Sequence, residues 1–144
     1  MLPDEVHQLL EPGCQSIETG YFRLPNGYMH VRALTRMPRC KGAMVDWWFG
    51  WMETADHFDT STFAEARVGA VICGNAQRPD GTPDGRVIHF IQDTDFGCEM
   101  RSRFWLYDAP DVAGPGVMAH CLTEMGTMAD FLPDLYGKET SQAA

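Results

Sequence analysis

The clearest alternation of apolar and polar positions falls in residues 28–34, where Tyr28, His30 and Arg32 point one way and Met29, Val31 and Ala33 the other. A period of two predicts a strand with one of those faces buried. Residues 21–24 precede it across Pro25-Asn26-Gly27, an Asn-Gly turn that tolerates positive φ, so the two segments read as a hairpin. Residues 43–52, Ala-Met-Val-Asp-Trp-Trp-Phe-Gly-Trp-Met, have hardly any polar face and are expected deep in the protein or in a subunit contact. Residues 68–73 and 86–91 read as strands joined by a doubled turn over 79–85, which carries two Pro-Asp-Gly-type signals. A third strand spans 98–106. There Cys98, Met100, Ser102, Phe104 and Leu106 share one face while Glu99, Arg101, Arg103 and Trp105 share the other. The charged face reads either as the wet side of an antiparallel sheet, the commoner case, or as the wall of a polar cavity. A final helix begins near Gly116 or Val117 and stops before Pro133, which cannot continue it. Its apolar arc is Val117, Met118, Cys121, Leu122, Met125, Met128 and Leu132, with His120, Glu124 and Phe131 along one border.

His120 and Glu124 are four apart, so both side chains lie on one face of that helix. Such pairs are common on solvated helix edges. The same spacing is also half of a metal site, since a catalytic zinc takes three protein ligands and keeps one position open. His89, mid-strand between Ile88 and Phe90, reads as a hydrogen-bonded core or surface histidine, and Asp46 as a local cap.

Composition narrows the setting. With 144 residues, 44% of them hydrophobic and 22% charged, the chain reads as a single domain able to bury one core. A formal net charge of -9 excludes the basic footprint of a nucleic-acid binder and attraction to anionic lipid. Cys14, Cys40, Cys73, Cys98 and Cys121 are scattered with no Cys-x-x-Cys pair, which favours free thiols. The first residues lack the basic and apolar regions of a secretory signal, and no apolar stretch approaches the ~20 residues of a membrane span. A cytoplasmic, reduced location is expected.

Three ordered blocks then carry a resemblance: Asp46-Trp-Trp-Phe-Gly-Trp51; Asp93-Thr94 with residues 97–106; and His120-Cys-Leu-Thr-Glu-Met125 followed by residues 131–136. Together with Leu9-Leu-Glu-Pro-Gly13 and Glu18-Thr-Gly-Tyr21, they make the sequence resemble the 2,4-diacetylphloroglucinol hydrolase family over most of its length. The resemblance implies an α+β fold of the Bet v 1/START-like helix-grip type, a curved antiparallel sheet packed on a long C-terminal helix. It implies a single domain over 1–144, in which 1–42 supply a hairpin and dimer contacts and 43–144 the helix-grip part. It further implies a zinc-dependent hydrolase that cleaves the carbon-carbon bond between an acyl group and an aromatic ring, with His120 and Glu124 as two zinc ligands, and a homodimer.

The family's other ligands are a histidine directly after the tryptophan-rich motif and a glutamate downstream in a strand. Met52 occupies the first position here, and the stretch that would carry the second is absent, so the sheet is expected to be reduced. Thioether sulfur suits softer metals than zinc. Glu53, Asp56 and His57 are the nearest substitutes, of which His57 and Glu53 are the additional metal candidates. With a complete site, zinc would polarise the ketone oxygen and activate water, and the ring carbanion released would be protonated, with acetate as the other product. A small aromatic ketone or phenolic ligand needs an aromatic-lined cavity with a few polar partners. Trp48, Trp51, Arg101, Arg103 and Trp105 are the candidate substrate-binding residues, with Trp47 and Phe104 as further lining. Two other readings stay open. One is a shortened, non-catalytic relative that binds a small aromatic molecule or a partner subunit without zinc, and the other a fragmentary product that needs a dimer to cover its apolar surface.

Overall fold

A computed structural model describes residues 1–10, 15–50 and 70–142. Five antiparallel strands form one sheet: β1 (Gly20–Arg23), β2 (Met29–Pro38), β3 (Ala70–Gln77), β4 (Pro83–Asp93) and β5 (Gly97–Leu106), in the order β1-β2-β5-β4-β3. Helices α1 (Gly42–Phe49) and α2 (Ala113–Gln142) pack on one face. The other face is covered by an N-terminal 3-10 helix, Pro3–Leu10, and by residues 15–19. This is the α+β sheet gripping a long C-terminal helix that the resemblance implied.

The hairpin closes where expected. Leu24 N–H donates to Tyr28 O at 2.8 Å and Gly27 N–H to Leu24 O at 2.9 Å, with Gly27 at φ 92°. The doubled turn is a single turn instead. β4 already starts at Pro83, because Gly85 lies so close to β5 that a Cβ there would stand 2.5 Å from Trp105 O. Only glycine lets the two backbones approach that far.

Burial on β2 departs from expectation. Met29, Val31 and Ala33 are buried toward the helices, yet His30 and Arg32 are buried as well. The N-terminal helix, with Val6 and Leu9 inward, roofs the second face, so β2 and β5 are covered on both sides. The aromatic run is also split: Val45 and Phe49 enter the core, whereas Trp47 is 38% exposed. Trp47 meets the Tyr136 ring edge-on at 5.5 Å and Trp48 meets Phe131 at 5.2 Å, tying α1 to α2. Asp93 accepts the Gly42 N–H at 2.7 Å, and Lys41 Nζ donates to the carbonyls of Thr94 and Gly97. A carboxylate at the start of α1 satisfies an orphan donor and complements the helix dipole, which gives the Asp93-Thr94 block a structural role.

Helix α2 starts earlier and ends later than the sequence suggests. Pro115 falls in its first turn, where a missing N–H costs nothing. Pro133 lies inside it and leaves the Ala129 carbonyl without its i+4 donor. The Cys40 thiol donates to that carbonyl at 3.9 Å, and fully buried Leu132 anchors the turn, so packing carries the helix through. Cys121, Met125, Met128 and Leu132 form its buried stripe, as the apolar arc predicted. Among the described residues no helix is long and apolar enough to cross a membrane.

Pro133→Ala should restore the bond to Ala129 and stabilise the fold by about 1–3 kcal/mol. Urea denaturation measures it, and unchanged stability would mean that the Cys40 contact already compensates for the proline fully.

Candidate functional site

Two polar groups lie inside the molecule, one on each face of the sheet. On the helix side, β4–β5 register sets His89 opposite Ser102, and His89 Nδ1 lies 2.7 Å from Ser102 Oγ. The direction of that hydrogen bond follows the imidazole tautomer. Cys121 of α2 is also hydrogen-bonded to Ser102, so strand and helix meet at one hydroxyl. Phe49 stacks on the His89 ring at 6.0 Å and Phe104 meets it edge-on at 5.8 Å. Burial lowers the His89 pKa to about 4, which keeps the ring neutral, and raises that of the Cys121 thiol.

On the opposite face, Glu18 is shared by two guanidinium groups. Arg101 Nη2 donates to Oε1 at 2.8 Å, Arg103 Nη2 to Oε2 at 2.5 Å, and Arg101 Nε to Oε2 at 3.3 Å. Burial alone would raise the Glu18 pKa, but the bonds from Arg101 and Arg103 outweigh it and bring it to about 2. Arg101 also donates to Leu9 O and Arg103 to Gln15 Oε1. Trp105 is fully buried: its Nε1 donates to Met1 O at 2.9 Å, and His30 stacks on its ring at 5.0 Å. His30 Nδ1 donates to Phe104 O, its Nε2 accepts from Arg32 Nε at 3.1 Å, and burial first of all lowers its pKa to about 3.

The sheet therefore separates the candidate substrate residues. Trp48 lies with α1 on the helix side, while Arg101, Arg103 and Trp105 hold the N-terminal segment on the other, so these four do not line one cavity. Neither reading of the charged β5 face holds, because a face can be polar in sequence and still dry if a counter-charge covers it. Trp51, Glu53 and His57 lie outside the described residues, as do Met52 and Asp56. Two adjoining surface clefts, of about 280 and 270 Å³, share Tyr28, Arg86 and Tyr107 and belong to the N-terminal side.

His120 and Glu124 lie on the outer side of α2, 78% and 50% exposed, with Nε2 2.8 Å from Oε2. Two donors on a tetrahedral zinc, each bonded at ~2.1 Å, stand about 3.4 Å apart. The pair therefore fits two corners of such a site after a small separation. Among the described residues no group of three or more His, Cys, Asp or Glu could hold a metal, so there the pair stands without a third ligand. Glu18, His30 and the Ser102 partnership of His89 were missed in the sequence. Glu18 stands inside the quoted Glu18-Thr-Gly-Tyr21 block, but nothing local connects it to arginines 83 and 85 residues away.

Comparison with known proteins gives these positions a context. The family described as the DAPG hydrolase PhiG domain matches residues 2–57 and 54–113. Its two segments overlap at 54–57, and the match ends before the His120 and Glu124 turn of α2. A 2,4-diacetylphloroglucinol hydrolase of a Pseudomonas species is 34% identical over 65 residues, 45% of this chain and 22% of that protein. The Pseudomonas protegens protein of the same name is likewise 34% identical over 65 residues, 45% of this chain and 21% of its own length. The matched segment is thus about a fifth of each relative.

The buried imidazoles fix the sign of the pH response. His30 and His89 titrate near 3 and 4 when folded and near 6.5 when exposed, so the unfolded chain binds protons first. Stability should be full above pH 6.5 and fall as pH drops toward 4, with Glu18 adding a loss below 4.5, as pH falls toward about 2. Urea midpoints at pH 7.5, 6 and 5 should therefore decline in that order, and His89→Gln should flatten the decline. A midpoint constant over this range would contradict the burial of both rings as neutral groups.

Proposed function

This chain belongs to the family of the DAPG hydrolase PhiG domain, and from that premise we propose that it is a hydrolase acting on the carbon-carbon bond between an acyl group and a phenolic ring. The family match over residues 2–113 carries this reading. The relatives' printed name, 2,4-diacetylphloroglucinol hydrolase, supports an acylated phenol as the substrate class.

His120 and Glu124 are the proposed zinc ligands from α2, supported by their shared helix face and the 2.8 Å approach of their donor atoms. Glu53 and His57, just past α1 in sequence, are the proposed sources of a further ligand. Zinc, when bound, supplies a Lewis acid for the ketone oxygen and lowers the pKa of water toward ~7. The chain's own part is to hold the ring. Trp48 and Phe131, whose rings meet at 5.2 Å, would offer it an aromatic surface where α1 meets α2. Hydrolysis adds a water oxygen to the acyl carbon and breaks the acyl-ring bond. The bonding pair passes to the ring carbon, which takes up a proton, and the acyl group leaves as a carboxylate.

Met52, standing where the family carries a histidine, favours a second reading in which the chain binds a small phenolic molecule with little turnover. A homodimer is proposed through the α1–α2 aromatic surface, where Trp47 and Phe131 remain 38% and 37% exposed. We place the protein in the cytoplasm on its free cysteines, of which Cys40, Cys73, Cys98 and Cys121 are buried.

Elemental analysis of the purified protein, with acylphloroglucinol turnover measured alongside, tests the activity. Zinc should be present and lost in the His120→Ala/Glu124→Ala double variant, and turnover should fall well below the ~10 per second of an ordinary enzyme, because the ligand set is altered. Zinc retained by the double variant rules out this ligand pair, and a wild type with neither zinc nor turnover selects the binding reading.

For the dimer, melting of the wild type should rise with protein concentration, and Trp48→Ala should lower it at a given concentration. A monomer at micromolar concentration with dilution-independent melting would return these aromatics to an intramolecular role.

A further inference from the structure

The face of the sheet away from the helices holds more positive charge than its described partners balance. Arg32 of β2 stands directly opposite Arg103 of β5, and Arg101 lies two residues along the same face. Their exposures are 8%, 0% and 4%. Like charges opposed across a ladder repel, and a buried guanidinium without a counter-charge is costly. Glu18 alone among the described residues brings a carboxylate to these arginines. Their remaining contacts are neutral: Arg32 with Ile17 O and His30 Nε2, Arg101 with Leu9 O, and Arg103 with Ser102 O and Gln15 Oε1. Arg103 Nε, moreover, is buried with no hydrogen-bond partner.

We propose that Arg103 and Arg32, beneath the N-terminal segment, bind one small carboxylate anion from solution, which takes the free Arg103 Nε–H and offsets the excess charge. Glu18 supplies the precedent for that chemistry, since its two oxygens already serve two guanidinium groups at 2.8 and 2.5 Å. A planar carboxylate matches the donor fork of arginine better than a spherical ion does. Arg32, the least covered of the three, marks the side of entry. The site is independent of the proposed activity, because β5 separates it from His89 and α2.

Thermal melting of the full chain in a bulky sulfonate buffer at fixed ionic strength, with sodium acetate raised stepwise in the millimolar range, provides the test. Acetate at about ten times its dissociation constant should raise the melting temperature by about 4 °C and saturate. Arg103→Lys keeps the charge but removes Nε, and should lose that rise. Should this variant fold poorly, Arg32→Lys serves instead and should at least halve it. Equal or larger rises with chloride or phosphate, no rise with any anion, or an acetate rise intact in the variants would each overturn the proposal. A wild type indifferent to acetate but destabilised by Glu11→Gln, a position outside the described residues, would assign the second charge to the chain's own carboxylate.

Discussion

The central strand β5 is buried on both faces, and the rest of the fold is organised around that constraint. Cys98, Met100 and Phe104 on one side are satisfied by apolar stripes from α1 and α2. Arg101 and Arg103 on the other cannot be satisfied by apolar cover, since a desolvated guanidinium needs a carboxylate and carbonyl oxygens. The N-terminal segment is what brings them, through Glu18, Gln15 and the Leu9 carbonyl. It is therefore a third layer of the domain, held by these charges as well as by the packing of Val6 and Leu9. Removing the Glu18 carboxylate would leave two buried cations side by side on β5 without a counter-charge, a loss of about 3–5 kcal/mol by the usual cost of breaking such a pair.

Local periodicity made much of this architecture legible. The hairpin turn, the alternation of β5 and the apolar arc of α2 all follow from neighbours within a few residues. What stayed hidden depends on partners far along the chain. Alternating charge on β5 looks the same in sequence whether water or a counter-ion covers it, and the covering residue is 83 positions from Arg101. The proline rule gave the wrong end for α2 for the same reason: the donor that replaces the lost bond at Ala129 is the thiol of Cys40, 89 residues away. The His120 and Glu124 spacing was readable, whereas the polar contact of His89 depends on a strand register that places Ser102 across from it.

Helix geometry constrains how the two helix-side features can work together. Successive residues on an α-helix are rotated by about 100°, so Cys121 pointing at Ser102 requires its neighbour His120 to point elsewhere. The observed exposures agree, with Cys121 at 2% and the His120 side chain at 78%. A ligand gripped by His120 and Glu124 would thus sit beside α2 rather than beneath it, and any group completing that site must approach from the border of the helix. Along the sequence, the connection between Phe49 and Ala70 leaves α1 beside Phe131 and re-enters the sheet at its β3 edge. Glu53 and His57 fall in that connection, at or beside residues 54–57, where the two segments of the family match overlap. On the proposed reading, the residues that separate turnover from mere binding fall in that one stretch, while the sheet, its charged N-terminal roof and the helix that carries both His120 and Glu124 are common to both outcomes.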